Sequence, residues 1–193
     1  EYRGNAFIGD VGGNLVHRKT MKVAGSTYVA DRAEKDVEFL ASRDNWFRPV
    51  NFANTPNGTL LIIDMYRETI EHPVSIPEPI KKHLDLTSGK DLGRLYNLVP
   101  ESGYRHRRPD LGGATTARLV SVLADPSAWW RETAQRLLIE RNDRGAAVPL
   151  LKQLAKDRPN ALGRVHALWV LQVFGALGNE ELVAALKDAD PNV

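Results

Sequence analysis

Residues 131–138, RETAQRLL, and residues 164–171, RVHALWVL, carry the same pattern 33 positions apart. The matched residues are Arg131 and Arg164, Ala134 and Ala167, Leu137 and Val170, and Leu138 and Leu171. A fixed period of this size with two helices per unit is typical of an α-solenoid, in which each helical pair buries its apolar face only against its neighbours. The two alanines would let paired helices approach closely. The repeat therefore predicts stacked helical pairs of HEAT type in this part of the chain.

The helical pattern begins after residues 109–113, PDLGG, where the apolar period changes from two to about 3.6. We place the domain boundary there and assign residues 110–193 to truncated HEAT-like repeats. Five short helices are predicted, marked by Leu119 to Leu123, Trp130 to Leu138, Val148 to Leu154, Leu162 to Phe174, and Glu180 to Lys187. The third helical pair contains only its first helix, so we expect the chain to be a segment of a longer protein.

The pattern in residues 1–109 is different and predicts short β-strands, because short β-type runs are separated by Gly, Asn, Asp and Pro. The runs are 6–9, 14–18, 27–30, 50–53, 60–64 and 94–99. Gly12-Gly13 and the TPNG sequence at 55–58 predict hairpin turns, since both contain residues that tolerate positive φ. The run 60–63 is apolar on both faces, as expected for a strand covered by neighbouring sheets in a propeller blade. A short helix is predicted near 77–86, where Pro77 and Pro79 suit a helix start.

The predicted fold class is therefore β followed by α: about two C-terminal blades of a β-propeller, then an α-solenoid of HEAT-type helical pairs.

The composition restricts the function classes. The chain has 193 residues, a formal net charge of +2 and no cysteine, which excludes disulfides, thiol catalysis and cysteine-bound zinc or haem in this segment. Residues 105–108, RHRR, form the only dense basic run and suit an exposed linker, so nucleic acid is not an expected partner. No apolar run approaches the roughly 18 residues of a membrane span, and residues 1–9 lack the pattern of a secretory signal.

Residues 38–64, EFLASRDNWFRPVNFANTPNGTLLIID, resemble a known family, the large bacterial putative membrane-bound dehydrogenases. The resemblance extends to residues 4–7 (GNAF), 14–18 (NLVHR), 65–68 (MYRE), 70–73 (IEHP), 93–96 (GRLY) and 129–137 (WWRETAQRL). It implies a propeller similar to that of glucose and sorbosone dehydrogenases, followed by HEAT repeats and a C-terminal cytochrome-type domain. It also implies pyrroloquinoline quinone and calcium as cofactors of the full-length protein, and an exported or membrane-associated location. The catalytic histidine of the sugar dehydrogenases belongs to an earlier part of the propeller.

Arg48 is the first candidate ligand-binding residue. It lies at the start of a predicted innermost strand, and the loops there form the propeller face on which ligands bind. Its guanidinium could pair with a carboxylate of a quinone cofactor or substrate. The alternative is that Arg48 holds its own loop through carbonyl groups or Asp44.

Asp44 and Asn45 are candidate calcium ligands, because calcium binds Asp, Asn and carbonyl oxygens of loops. Both residues also suit turn capping, since Asx side chains bond their own backbone in tight turns.

The densest polar cluster follows the apolar strand and consists of Asp64, Tyr66, Arg67, Glu68, Glu71 and His72. Strand direction places Asp64 and Arg67 near the face of Arg48, which makes them candidate cofactor-binding residues. Structural salt bridges are the main alternative to a general-base role for Asp64 or His72. His17, His83, His106 and His166 are dispersed and suit packing or surface positions, and Trp129 and Trp130 suit structural roles.

Two functions remain open. One is part of a quinone-dependent sugar or alcohol dehydrogenase, with the solenoid as an arm toward an electron acceptor. The other is a non-catalytic propeller-solenoid module that binds protein or polysaccharide, with the partner in the groove formed by second helices near Arg131 and Arg164.

Overall fold

The computed structural model describes residues 2–25 and 27–193, which form seven β-strands and six α-helices. The chain divides into two compact units. The first comprises Glu1–Ala53 and Thr59–Gly103, and the second comprises Asn54–Gly58 and Tyr104–Val193. The fold is mixed β and α: two small antiparallel sheets and a set of helices, without a closed barrel among the described residues.

The first sheet begins with the hairpin of β1 (Asn5–Asp10) and β2 (Leu15–Ala24). Its turn contains Gly12-Gly13, as predicted. The Asp10 carboxylate fixes this turn, because Oδ1 accepts the N–H groups of Gly12 and Gly13 at 3.0 and 2.8 Å. The Asp10 side chain thus caps the turn between β1 and β2.

β2 continues well beyond the predicted run 14–18, because residues Lys19 to Ala24 pair with β3 (Thr27–Arg32). A two-residue strand, β4 (Leu40–Ala41), pairs with the start of β2. This strand was not predicted, since two residues are too few to show a period.

The second sheet has the order β5 (Pro49–Asn54), β6 (Leu60–Asp64) and β7 (Arg94–Leu98). β6 is the central strand, and none of its residues is exposed, as its apolar sequence predicts. The TPNG turn joins β5 to β6 as predicted, with Gly58 at φ 77°. The chain between β6 and β7 contains a 3₁₀ turn, Pro73–Ser75, and α1 (Glu78–Lys81), a shorter helix than the predicted 77–86.

The core of the first unit consists of Val16, Phe47 and Ile62, all buried. Phe7, Phe39, Leu40, Phe52 and Leu60 pack around it. Gly9 in β1 lies against the backbone of β5: a Cβ atom there would stand 2.1 Å from the Pro49 carbonyl oxygen. Only glycine permits this approach.

The second unit contains the helices α2 (Thr116–Val122), α3 (Ala128–Arg141), α4 (Arg144–Leu154), α5 (Ala161–Val173) and α6 (Asn179–Ala185). These are the five predicted helices with small changes of boundary. Their core includes Leu119, Leu123, Ala134, Leu138, Ala147, Leu151, Ala167, Val170 and Leu171. Ala134 and Ala167, the repeated alanines, are both fully buried, as close helix packing requires.

The repeated arginines are buried too, and each one holds a turn. Arg131 Nη1 donates to the carbonyl oxygens of Asp125 and Pro126 at 2.8 and 3.0 Å. Arg164 Nη1 donates to those of Asp157 and Arg158 at 2.9 and 2.5 Å. The sequence repeat therefore corresponds to a repeated contact, in which the second helix of a pair ties down the turn that precedes it.

The second unit also includes the β5–β6 turn. Trp130 Nε1 donates to the Pro56 carbonyl at 2.8 Å, and Asn57 Oδ1 accepts the backbone N–H of Arg107 at 2.6 Å. Trp130 is buried, as its structural interpretation predicts, and Trp129 lies edge-on to it. Over the described residues, no helix is both long and apolar enough to span a membrane.

Candidate ligand-binding site

Arg48 is buried, and its guanidinium is occupied by carbonyl groups of the first unit. Nε donates to Arg67 O at 2.9 Å, Nη1 to Val11 O at 2.7 Å and Nη2 to Glu68 O at 3.0 Å. Arg48 thus joins the β1–β2 turn to the loop after β6. These contacts match the alternative prediction, in which Arg48 holds loops through carbonyl groups. Asp44 is not among the hydrogen-bond partners of Arg48.

Asp64 ends β6 and is 1% exposed. Its Oδ1 accepts the backbone N–H groups of Arg48 at 2.7 Å and Tyr66 at 2.8 Å. Its Oδ2 is buried and has no hydrogen-bond partner among the described residues. A buried carboxylate oxygen without a partner is costly, so this atom is a candidate contact for a ligand donor.

Arg67 lies three residues further along the chain, in the same loop. Its Nη2 donates to Lys90 O at 3.4 Å, a long hydrogen bond. Its Nη1 is buried and, within the described parts of the chain, has no hydrogen-bond acceptor. The structure therefore brings Arg48, Asp64 and Arg67 together as predicted from strand direction, but it leaves free polar atoms on Asp64 and Arg67 only.

The backbone between these two residues is held in an uncommon conformation. Tyr66 has φ 51°, in the left-handed region that non-glycine residues rarely adopt. Gly89, at φ 84°, lies so close that a Cβ atom would stand 2.3 Å from the Tyr66 carbonyl oxygen. The Tyr66 ring lies under the Arg94 guanidinium, 3.6 Å from Cζ to the ring centroid, and beside Trp46 at 5.6 Å. The loop is thus fixed on both sides.

Asp44 uses its carboxylate within the protein. Oδ1 accepts the N–H of Trp46 at 3.1 Å, and Oδ2 lies 3.6 Å from Arg94 Nη1. The Trp46 N–H is the main cause that lowers the Asp44 pKa, with smaller contributions from Tyr66 and Arg94 against the opposing effect of desolvation. A guanidinium beside the carboxylate would repel a calcium ion. Asn45 contributes its carbonyl oxygen to Asn14 Nδ2 at 3.1 Å.

The described residues contain no group of three or more His, Asp and Glu side chains that could hold a metal ion. The residues around Asp44 and Asn45 fit turn capping better than calcium binding.

The rest of the polar cluster does not form the expected salt bridges. No ion pair joins Asp64, Arg67, Glu68 or Glu71 across the described residues. His72 is exposed and accepts the N–H of Val74 on Nδ1 at 3.2 Å. Backbone groups, rather than opposite charges, bind Asp64 and Arg48, because the strand ends and loops here present unpaired N–H and C=O groups.

His17 is a polar residue whose surroundings the sequence did not reveal. Its Nδ1 lies 2.5 Å from Glu38 Oε2, and its Nε2 lies 3.6 Å from Asp10 Oδ2. For Glu38, desolvation raises the pKa, but hydrogen bonds from His17 and Arg32 outweigh it and the net pKa is lowered. Glu38 is 21 residues from His17, so no local spacing could have indicated the pair.

Comparison with protein families identifies the first part of the chain. A family model described as a domain of unknown function, DUF7133, matches residues 1–102. The chain belongs to this family. The DUF7133 match includes Arg48, Asp64 and Arg67, and it ends one residue before the end of the first compact unit at Gly103. No functionally curated protein and no solved structure matches the chain.

Proposed function

We propose that this DUF7133 protein is part of a propeller-type dehydrogenase-like protein, and that its first unit binds a ligand through Arg67 and Asp64. In this proposal the two sheets are the last blades of a β-propeller similar to that of glucose and sorbosone dehydrogenases. The helices are HEAT-type repeats. The remaining blades and a cytochrome-type domain are partners within an exported or membrane-associated parent protein.

The observation that carries the proposal is the pair of buried polar atoms without partners, Asp64 Oδ2 and Arg67 Nη1. The free N–H of Arg67 requires an acceptor, and the free oxygen of Asp64 requires a donor. With Arg48 included, the cluster has two guanidinium groups and one carboxylate, so an anionic acceptor would balance its charge. A carboxylate on a ligand that also carries a donor group matches both atoms.

Arg67 is held less firmly than Arg48. Among the described residues its guanidinium makes one long hydrogen bond, from Nη2 to Lys90 O at 3.4 Å, whereas Arg48 makes three bonds of 2.7–3.0 Å. We therefore assign the binding role to Arg67 and the structural role to Arg48.

Pyrroloquinoline quinone carries carboxylates and fits the charge of this cluster. When bound, it supplies the electron acceptor for oxidation of an alcohol or sugar. The residues of this chain would bind and orient it: Arg67 would hold a carboxylate, Asp64 would accept a donor, and Arg48 would hold the loops. We do not assign a calcium site to Asp44, because the positively charged Arg94 lies beside its carboxylate.

The test is calorimetric titration of pyrroloquinoline quinone into the 193-residue chain, with and without calcium. Arg67→Met keeps the aliphatic stem and removes the free N–H, and we expect it to abolish saturable binding. Arg43→Met is the matched control, since Arg43 is exposed on a neighbouring loop, and it should bind like wild type. Equal binding by Arg67→Met would refute the assignment. Absence of binding by wild type would also refute it, and is the result expected if an ordered water bonds Asp64 Oδ2 and Arg67 Nη1.

A second candidate function, recognition of a protein or polysaccharide, is supported by the helical unit. A groove of about 410 Å³ on α3 is lined by Glu132, Gln135, Arg136, Ile139 and Glu140. Gln135 Oε1 bonds His166 Nδ1 on α5 at 2.6 Å, and Trp169, one turn from His166, is 62% exposed. Exposed tryptophans are common anchors of interfaces. Arg131 and Arg164, which mark the groove in the sequence, are buried and unavailable to a partner.

The experiment for this candidate is a binding screen of immobilised chain against soluble polysaccharides of stated composition, comparing wild type with Trp169→Ala. Loss of a saturable interaction in the variant is the expected result. Unchanged binding would exclude the α3–α5 surface.

A further inference from the structure

α2, α4 and α6 share an apolar face, but in α6 this face is exposed. The face consists of the residues four, five and eight positions after the N-cap residue of each helix. They are Leu119, Val120 and Leu123 in α2, Ala147, Val148 and Leu151 in α4, and Leu182, Val183 and Leu186 in α6. In α2 and α4 these positions are buried or half-buried, whereas in α6 they are 45%, 49% and 87% exposed.

In α2 and α4 these positions lie in the core of the second unit, and each helix packs against the second helix of its own pair. α3 packs against α2, and α5 packs against α4. Both second helices place a buried arginine four residues, and a buried alanine seven residues, after their N-cap residues Ser127 and Asn160. Two helices of this chain, α3 and α5, thus show which residue types a helix uses to cover α2 or α4.

The turn after α6 already has the conformation that precedes a second helix. Before α3, Asp125 Oδ1 accepts the N–H of Ser127 at 2.8 Å. After α6, Asp190 Oδ1 accepts the N–H of Asn192 at 3.0 Å in the same way. Both turns have the sequence Asp-Pro followed by a residue that caps helices well, serine or asparagine.

The charges at this turn also suit an arginine on a helix that covers α6. Asp125 is paired with Arg107 at 2.8 Å and lies beside Arg131, whose guanidinium bonds its carbonyl. Asp190 has no ion pair among the described residues, and the nearby Asp188 is already paired with Arg164. Asp125 is thus balanced by Arg107, whereas no ion pair of the described residues balances Asp190.

We propose that the α6 face of Leu182, Val183 and Leu186 is a docking site for one amphipathic helix. This helix carries an arginine four positions after its cap, an alanine at seven, and aliphatic residues at ten and eleven. Its alanine lies on α6, and its arginine reaches the carbonyl groups of the turn at Asp190. The proposal concerns the second unit and does not depend on ligand binding by Arg67.

The test uses a synthetic helix with the sequence of residues 160–174, NALGRVHALWVLQVF, held helical by a lactam bridge on its solvent side. Binding to the 193-residue chain is followed by fluorescence anisotropy of the labelled peptide. We expect saturable binding that becomes at least about tenfold weaker with Leu186→Lys, because a charge replaces an apolar contact. The matched control is Leu95→Lys, which makes the same change at an exposed leucine of the first unit and should leave the affinity unchanged.

The peptide supplies a second readout. Its Ala167→Leu variant should bind weakly, because the larger side chain prevents close approach of the two helices. Circular dichroism checks that the Lys variants of the chain remain helical. Absence of saturable binding, or equal binding by the Leu186→Lys chain, would overturn the proposal. Concentration-dependent dimerisation of the chain that Leu186→Lys abolishes would also overturn it, since a second copy would then occupy the face.

Discussion

Replacing Arg48 with methionine should destabilise the first unit strongly. The change keeps the buried aliphatic stem but removes three hydrogen bonds, to the carbonyl groups of Val11, Arg67 and Glu68. Hydrogen bonds that involve a charged group contribute roughly 1.5–3 kcal/mol each. Water can reach these carbonyl groups in part, because none of the three residues is fully buried. We therefore expect the free energy of unfolding to fall by about 3–4 kcal/mol, a large share of the roughly 5–15 kcal/mol of a typical domain.

The assay is urea denaturation combined with hydrogen-deuterium exchange of peptides that cover β5 and β6. Exchange is needed because three of the four tryptophans, Trp129, Trp130 and Trp169, belong to the second unit and would dominate a fluorescence signal. Arg43→Met is the control and should leave stability unchanged.

Arg48→Lys should lose nearly as much stability as Arg48→Met, because an ammonium group cannot reproduce the planar fork of a guanidinium. A loss below about 1 kcal/mol for Arg48→Met would refute the view that these carbonyl contacts hold the loops. Arg48 would then again be a candidate ligand-binding residue.

Three other changes test other parts of the structure. Gly89→Ala should destabilise the first unit by more than about 2 kcal/mol in urea melts, because the new Cβ would meet the Tyr66 carbonyl and φ is positive; a neutral effect would contradict this close approach. Trp130→Phe should cost about 1 kcal/mol through loss of its hydrogen bond to the β5–β6 turn, and unchanged thermal unfolding would show that the bond contributes nothing. Burial and the neighbouring Arg131 lower the His166 pKa from its ordinary 6.5, so the unfolded chain takes up this proton at higher pH. The free energy of unfolding should therefore fall as the pH drops below about 6.5, and it should fall less in the His166→Gln variant. Parallel pH profiles of the two proteins would show that His166 does not cause this dependence.

Local sequence was sufficient for most of the secondary structure of this chain, apart from β4 and the second half of β2. The hairpin at Gly12-Gly13 follows from residues that accept tight turns, and the apolar strand β6 follows from its own five residues. The helices follow from a period of about 3.6, and the repeated arginine and alanine are visible because each repeat uses them in the same contact. The turns, strands and helices depend on neighbours within about a dozen residues, and the repeat is recognised because the same local pattern recurs after 33 residues.

The roles of the polar residues depend on packing between distant segments. Arg48 meets Val11, 37 positions away, and Glu68, 20 positions away. His17 meets Glu38 across a distance of 21 residues. Such partners are set by how sheets and loops pack, and no spacing in the sequence encodes them. Most strands, the five helices of the second unit and the repeat thus follow from the sequence alone, because they are local consequences of side-chain period and backbone preference. Only the packed structure showed that Arg48 is used internally while Asp64 and Arg67 retain free polar atoms, because hydrogen bonding of a buried group depends on every segment that surrounds it.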